Sequence, residues 1–145
     1  MVAVEEGSAK DLEDLIEIDR AVIGNDERRR LLEEALGRGE CFIANIDGRP
    51  VGFAVLDRSF FRQPYMSLLI VHPAHRRQRI GRALVHHLEA VCPSDKLFTS
   101  TNASNVVMQR FCKALGFVRS GIVENLDEDD PELIYLKRLQ RAAKR

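Results

Sequence analysis

Four of the seven residues from Arg76 to Arg82 are arginine, inside the segment VHPAHRRQRIGRAL, Val71 to Leu84. Guanidinium groups crowded on one short turn suit an anion with several oxygens, because each planar fork donates parallel hydrogen bonds. The turn follows an apolar run and leads into a helical pattern, and Gly81 lets a ligand come close to the backbone. Successive amides of such a turn make a concave anion site, to which a helix start adds roughly half a positive charge. A cradle for phosphate or pyrophosphate is one reading; a solvated surface run is the other, and these residues alone do not separate them. Neither GxxxxGK[ST] nor GxGxxG occurs, which excludes a P-loop and argues against a dinucleotide-binding fold.

The rest of the chain narrows the partner. Lys and Arg number 22, Asp and Glu 22, for a formal net charge of +0. A neutral chain argues against a general nucleic-acid binder and points the arginines at something small and anionic. Hydrophobic residues make up 45% and charged residues 30% of 145, enough for a packed core in a single domain, residues 1–145. Cys41, Cys92 and Cys112 are odd in number and form no CxxC pair, so neither a disulfide framework nor a zinc site is indicated. Reduced, buried thiols are the reading for Cys41 and Cys92. His72-x-x-His75 and His86-His87 have no cysteine or carboxylate at ligand spacing, so no metal is expected. No apolar run reaches the roughly 20 residues of a membrane span, and MVAVEEGSAK has no signal-peptide core. The expectation is a soluble cytoplasmic protein without a membrane partner.

These residues need a scaffold, and the pattern supplies one. VAVEE reads as a first strand, and Ser8 to Asp11 has the form of a capping box opening a helix with Leu12, Leu15, Ile16 and Val22 on its apolar face. A second helix is expected from Asp26 to Leu36, stopped by Gly37. ECFIANIDGRPVGFAVLD reads as two strands joined at Asp47-Gly48. Arg58 to Tyr65 reads as a loop, Tyr65 to Val71 as a strand closed by Pro73. Arg79 to Cys92 puts Ile80, Ala83, Leu84, Leu88 and Val91 on one helical face. KLFTST is a further strand, Asn105 to Leu115 a helix ended by Gly116, and ELIYLKRL a last strand after the turn DEDDP, followed by a basic tail, RAAKR. The order predicts an α/β fold whose sheet is partly antiparallel and partly parallel.

Two stretches carry a resemblance. V-H-P-A-H-R-R-Q-R-I-G-R-A-L resembles the acyl-CoA loop of the GNAT superfamily of N-acetyltransferases, where a strand ending in V-x-P precedes an Arg/Gln-x-x-Gly-x-Gly/Ala turn and a helix. Pro73, Arg76, Ile80 and Gly81 match, while Arg79 stands where the family has its first glycine; a shifted register, Gln78-x-x-Gly81-x-Ala83, fits literally but spoils the spacing from the proline. NVVMQRFCKALGF is similar to the family's Asn-x-x-Ala-x-x-x-Tyr-x-x-x-Gly-Phe segment through Asn105, Gly116 and Phe117, with Met108 in place of Ala and Cys112 in place of Tyr. The resemblance implies a GNAT-like mixed central sheet flanked by about four helices.

It also implies transfer of an acetyl group from acetyl-CoA to a primary amine by direct attack in a ternary complex. On that reading the pyrophosphate sits among Arg76, Arg77, Gln78, Arg79, Ile80, Gly81, Arg82 and Ala83, and the pantetheine arm runs along Leu69, Ile70 and Val71. Asn105 reaches the arm or the adenosine side. The Val71 amide faces the thioester oxygen as it gains charge. Cys112 is either the acid that replaces the tyrosine or a small buried hydrophobe. Glu124 is the candidate base, and Ser67 could instead hold a relay water. ENLDEDDPE reads as an acidic rim steering a cationic amine or as a solvated turn, and Phe60 and Phe61 as a pocket wall or as core. The acceptor is a small-molecule or peptide amine, and the oligomeric state stays open, dimers being common in families of this kind. A non-catalytic CoA-binding regulatory domain is the alternative; an RNA-binding module is opposed by overall neutrality and few aromatics.

Overall fold

The computed structural model describes residues 1–140; the RAAKR tail lies outside the described residues. In chain order the elements are β1 (Val2–Glu6), α1 (Leu12–Ile23), α2 (Arg29–Gly37), β2 (Cys41–Ile46), β3 (Arg49–Phe60), β4 (Gln63–Val71), α3 (Ile80–Val91), β5 (Lys96–Asn102), α4 (Val106–Ala114), β6 (Val118–Val123) and β7 (Glu132–Arg138). The seven strands are hydrogen-bonded in the order β1-β2-β3-β4-β5-β7-β6. β4 and β5 are parallel, whereas β1–β2, β2–β3, β5–β7 and β6–β7 are antiparallel. The expected mixed sheet is therefore present. The chain forms two compact units, one of Met1–Asp57 and Leu68–Ala90, the other of Arg58–Ser67 and the residues from Val91 onward.

In the first unit the Ser8 amide donates to the Asp11 carboxylate at 2.8 Å, and a 3-10 turn over Ala9–Asp11 leads into α1. The buried face of α1 runs through Leu15, Ile16 and Ile18; Val22, expected on that face, is 37% exposed. α2 starts at Arg29, three residues later than its sequence pattern implied, because Asp26 closes a turn with the Arg29 amide at 3.1 Å. Gly37 is still helical, and the left-handed residue that ends the segment is Gly39, at φ +70°. Leu32, Ala35 and Leu36 of α2 join Leu15, Ile16 and Ile18 against Cys41, Ile43, Phe53 and Val55 of the sheet. Asp47 (φ +51°) and Gly48 (φ +77°) make the two-residue turn that their sequence signals.

Gly52 decides where α3 begins. A Cβ there would lie 2.9 Å from the Ile70 carbonyl oxygen, 3.1 Å from Ile80 Cγ2 and 3.5 Å from Leu84 Cδ1. Only a bare α-carbon lets the first turn of α3 settle onto β3 beside β4. Ile80, Leu84, Val85 and Leu88 are the buried residues of α3, whereas Val91, expected on the same face, is 43% exposed.

The second unit holds a feature missed in the sequence. Arg58 to Tyr65 is no loop but the tip of the β3–β4 hairpin, turned at Phe61 (φ +50°) and Arg62 (φ +62°). Beyond it, Tyr65 pairs with Phe98 and Met66 with Thr99. Burial alternates strictly along β5, with Leu97, Thr99 and Thr101 in the core and Phe98 and Ser100 half-buried on the opposite face. Thr99 pays no penalty for burial, since its hydroxyl donates to the Met66 carbonyl at 2.9 Å. Asn105 caps α4 by accepting the Met108 amide at 3.1 Å, and Gly116 follows the helix at φ +92°.

Candidate functional site

The strand that enters the arginine turn presents its donors alternately to its two edges. The His72 amide bonds back to the Val51 carbonyl of β3 at 2.8 Å. One residue earlier, the Val71 amide therefore points away from β3, as does that of Leu69. After Val71 a 3-10 turn spans Pro73–His75, the His72 Nδ1 accepting the Ala74 amide at 3.1 Å, and Arg76 returns to extended backbone.

The turn then alternates in hand. Arg77 lies at φ +67° and Arg79 at φ +62°, with Gln78 between them outside the left-handed region. Alternation of this kind aims successive amides into a common concavity. Arg79 thus holds a left-handed conformation of the kind that favours glycine. The Arg79 carbonyl accepts the Ala83 amide at 3.0 Å, which makes Arg79 the N-cap of α3. The amides of Ile80, Gly81 and Arg82 thus precede the first helical bond and have no acceptor inside the helix.

Above these amides Arg76, Arg77, Gln78, Arg79 and Arg82 are all exposed, while Ile80 is buried and Gly81 and Ala83 are half-buried. Among the described residues none of the four arginines is ion-paired. The arginines of α1 and α2 behave otherwise: Arg20 pairs with Asp26, Arg28 with Asp19, Arg29 with Glu13 and Arg30 with Glu34. Four exposed arginines with no ion-pair partner among the described residues, in the turn that leads into these amides, suit a multiply charged anion.

The remaining sequence candidates lie in the second unit. Cys112 is fully buried on α4, and desolvation pushes its thiol up to about 11. Asn105 is exposed, and its Oδ1 is taken up by the cap of α4. Glu124 is exposed, just beyond the last residue of β6, and Ser67 is half-buried on β4. The acidic loop is not wholly a solvated rim. Asp127 accepts from Asn102 Nδ2 at 2.8 Å, and Asp130 accepts from the Ser104 amide at 2.9 Å and hydroxyl at 2.6 Å. Those two carboxylates fasten the loop to the end of β5, leaving Glu124, Glu128 and Asp129 as its outward charges. Phe61 is 82% exposed at the hairpin tip and meets Phe60 edge-on at 4.9 Å; Phe60 in turn lies against Tyr65 and Phe98.

A polar chain that no motif announces completes the inventory. The Tyr65 and Ser100 hydroxyls are 2.6 Å apart, and Ser100 donates to Glu132 Oε2 at 2.6 Å. Its members stand 35 and 32 positions apart in sequence, so only strand pairing reveals it.

Residues 9–117 match the model of the Acetyltransferase (GNAT) family. No curated protein matches the chain. A GNAT-family acetyltransferase from Bacillus cereus ATCC 10987 is 42% identical, with a TM-score of 0.93 over 97% of this chain and 99% of its own. The ribosomal-protein-S18-alanine N-acetyltransferase of Escherichia coli shares the fold at 20% identity and a TM-score of 0.82, over 99% of this chain and 97% of its own. The protein yncA from Salmonella typhimurium, solved with its cofactor acetyl-CoA, does so at 18% identity and a TM-score of 0.73, over 99% of this chain and 96% of its own.

Proposed function

The chain belongs to the acetyltransferase (GNAT) family, and from that premise we propose that it moves an acetyl group from acetyl-CoA to a primary amine by direct attack in a ternary complex. The observation that carries this reading is the pair of left-handed arginines, Arg77 and Arg79, leading into the open amides at the start of α3 under unpaired guanidinium groups. That arrangement suits a diphosphate. Acetyl-CoA supplies the activated acyl group; the chain supplies position and charge.

Arg76, Arg77, Gln78, Arg79 and Arg82 hold the phosphates by side chain, and the amides of Ile80, Gly81 and Arg82 by backbone, with Ala83 small enough for close approach. The outward amides of Leu69 and Val71, with Ile70 between them, pair with the pantetheine arm as an added strand would. The Val71 amide also stabilises the thioester oxygen as charge builds on it. Cys112, buried and protonated, packs the core of its unit. Exposed carboxylates at Glu124, Glu128 and Asp129 favour a cationic acceptor, as a small molecule or as the end of a peptide such as the one named for the Escherichia coli neighbour. Three buried free cysteines fit a reducing cytoplasm.

Calorimetry with acetyl-CoA, followed by thiol release across a panel of amines, tests the reading. Binding with turnover of at least one amine is expected. Binding without thiol release from any amine would reduce the protein to a CoA-binding regulator, and absence of binding would remove the proposal altogether.

A further inference from the structure

β6 stands last in the strand order and is paired along one edge only, to β7. All six of its residues, Val118–Val123, are exposed, Val118 by 61% and Ile122 by 51%. Among the described residues no backbone hydrogen bond joins β6 to anything but β7. A strand that is bare along one edge and carries exposed apolar side chains is a template for a further strand.

A bulge decides which strand fits. Val118 pairs with Leu136 and Arg119 with Tyr135, but Gly121 pairs with Ile134, so Ser120 is an extra residue. In a regular strand two residues five positions apart point to opposite faces. Here Val118 and Val123 lie opposite Leu136 and Glu132, four positions apart on β7, and therefore share a face. Arg119 and Ile122, opposite Tyr135 and Leu133, share the other. A regular strand laid on the outer edge would face Ser120 and Gly121 with one residue of its own, as β7 does. A second β6, antiparallel about a dyad between Ser120 and Gly121, matches residue for residue instead. Val118 then meets Val123, Arg119 meets Ile122 and Ser120 meets Gly121, each contact occurring twice.

The charges are self-complementary in the same register. Glu124 continues the strand by one residue before Asn125 turns the chain at φ +72°. Alternation sets Glu124 on the face of Arg119 and Ile122. With Arg119 opposite Ile122 of the second copy, Glu124 of that copy is its diagonal neighbour, within reach of a long side chain. Among the described residues neither Arg119 nor Glu124 has an ion-pair partner inside its own chain.

We propose that two copies of this chain associate through β6, as an antiparallel twofold pair that joins their sheets edge to edge. The association is independent of the acetyl-transfer reading, because it uses only β6 and the residue that follows it.

Sedimentation equilibrium of the full chain, from about 1 to about 300 μM, tests it on wild type, Arg119→Glu, Glu124→Arg and the double variant. Wild type should dimerise within that range. Each single reversal sets like charges together at both symmetric contacts and should weaken association at least about tenfold. The double reversal restores opposite pairs and should recover wild-type affinity within about threefold. An equimolar mixture of the two single variants should form a heterodimer tighter than either forms with itself, since every charge of one then meets its opposite on the other. Unchanged far-ultraviolet circular dichroism establishes that each variant is folded, as expected of substitutions at exposed positions. A wild type that stays monomeric would overturn the proposal and leave the edge open to a strand of another protein. A dimer that resists both reversals, or a mixture that binds no tighter than its components, would put the contact elsewhere and overturn it too.

Discussion

Gly52 on β3 and Ile80 at the start of α3 are packed so closely that a single added carbon on Gly52 would stand 3.1 Å from the Ile80 side chain and 2.9 Å from the Ile70 backbone oxygen. The first turn of α3, where the proposed anion site begins, thus rests on β3 across a bare α-carbon. Gly52→Ala should destabilise the protein by about 1–3 kcal/mol, the usual cost of overpacking, and should weaken acetyl-CoA binding at least about fivefold by shifting the amides of α3. Urea unfolding and calorimetry check both. Weakened stability with unchanged affinity would separate the cradle from Gly52.

Arg79 holds a left-handed conformation that costs a non-glycine residue about 1 kcal/mol. Arg79→Gly should relieve that strain and raise the thermal midpoint by about 3 °C, at the expense of one guanidinium of the proposed phosphate site. A scanning melt decides; an unchanged or lowered midpoint would show that the turn is not strained.

Cys112 stands where the resemblance places a proton donor, yet its thiol is held at about 11 by burial. An ordinary thiolate, near 9.0, would have to pull a proton uphill by roughly two powers of ten to use it. Cys112→Ala should therefore keep at least about a tenth of wild-type kcat while losing roughly 1 kcal/mol of packing. A fall of about 10²-fold or more would make Cys112 the acid.

Cys41 and Cys112 together make stability depend on alkaline pH. Burial raises Cys41 to about 12 and Cys112 to about 11, from an ordinary 9.0. Above pH 9 the unfolded chain has shed protons that the folded chain retains. Stability must then fall as pH rises, by about 1.4 kcal/mol per pH unit for each thiol, until the folded thiols ionise in turn. Urea midpoints at pH 8, 9 and 10 should decline, and less steeply in Cys41→Ala. Parallel declines in the two proteins would refute the assignment to Cys41.

What was legible in the sequence was local. Asp47-Gly48 signals its turn because a left-handed pair tolerates those residues, and Asn105 and Gly116 mark the ends of α4 through capping within a few positions. The arginine turn stood out by charge and by its place between a strand and a helix. The Phe61-Arg62 turn was hidden, since neither residue is one that prefers φ > 0, and the hairpin on either side imposes it. The hand of Arg77 and Arg79 was hidden for the same reason: side-chain type does not disclose a backbone angle that neighbouring elements enforce.

The chain itself determined its class, its mixed order of elements and the segment that gathers positive charge, because periodicity, capping and charge are properties of neighbours in sequence. Tertiary structure alone decided that α3 rests on a bare glycine, that two aspartates of the acidic loop are spent on tying it down, and that Tyr65, Ser100 and Glu132 meet. Each of those depends on which strand lies beside which and in what register, and a hydrogen bond between residues more than thirty positions apart exists only once that pairing has formed.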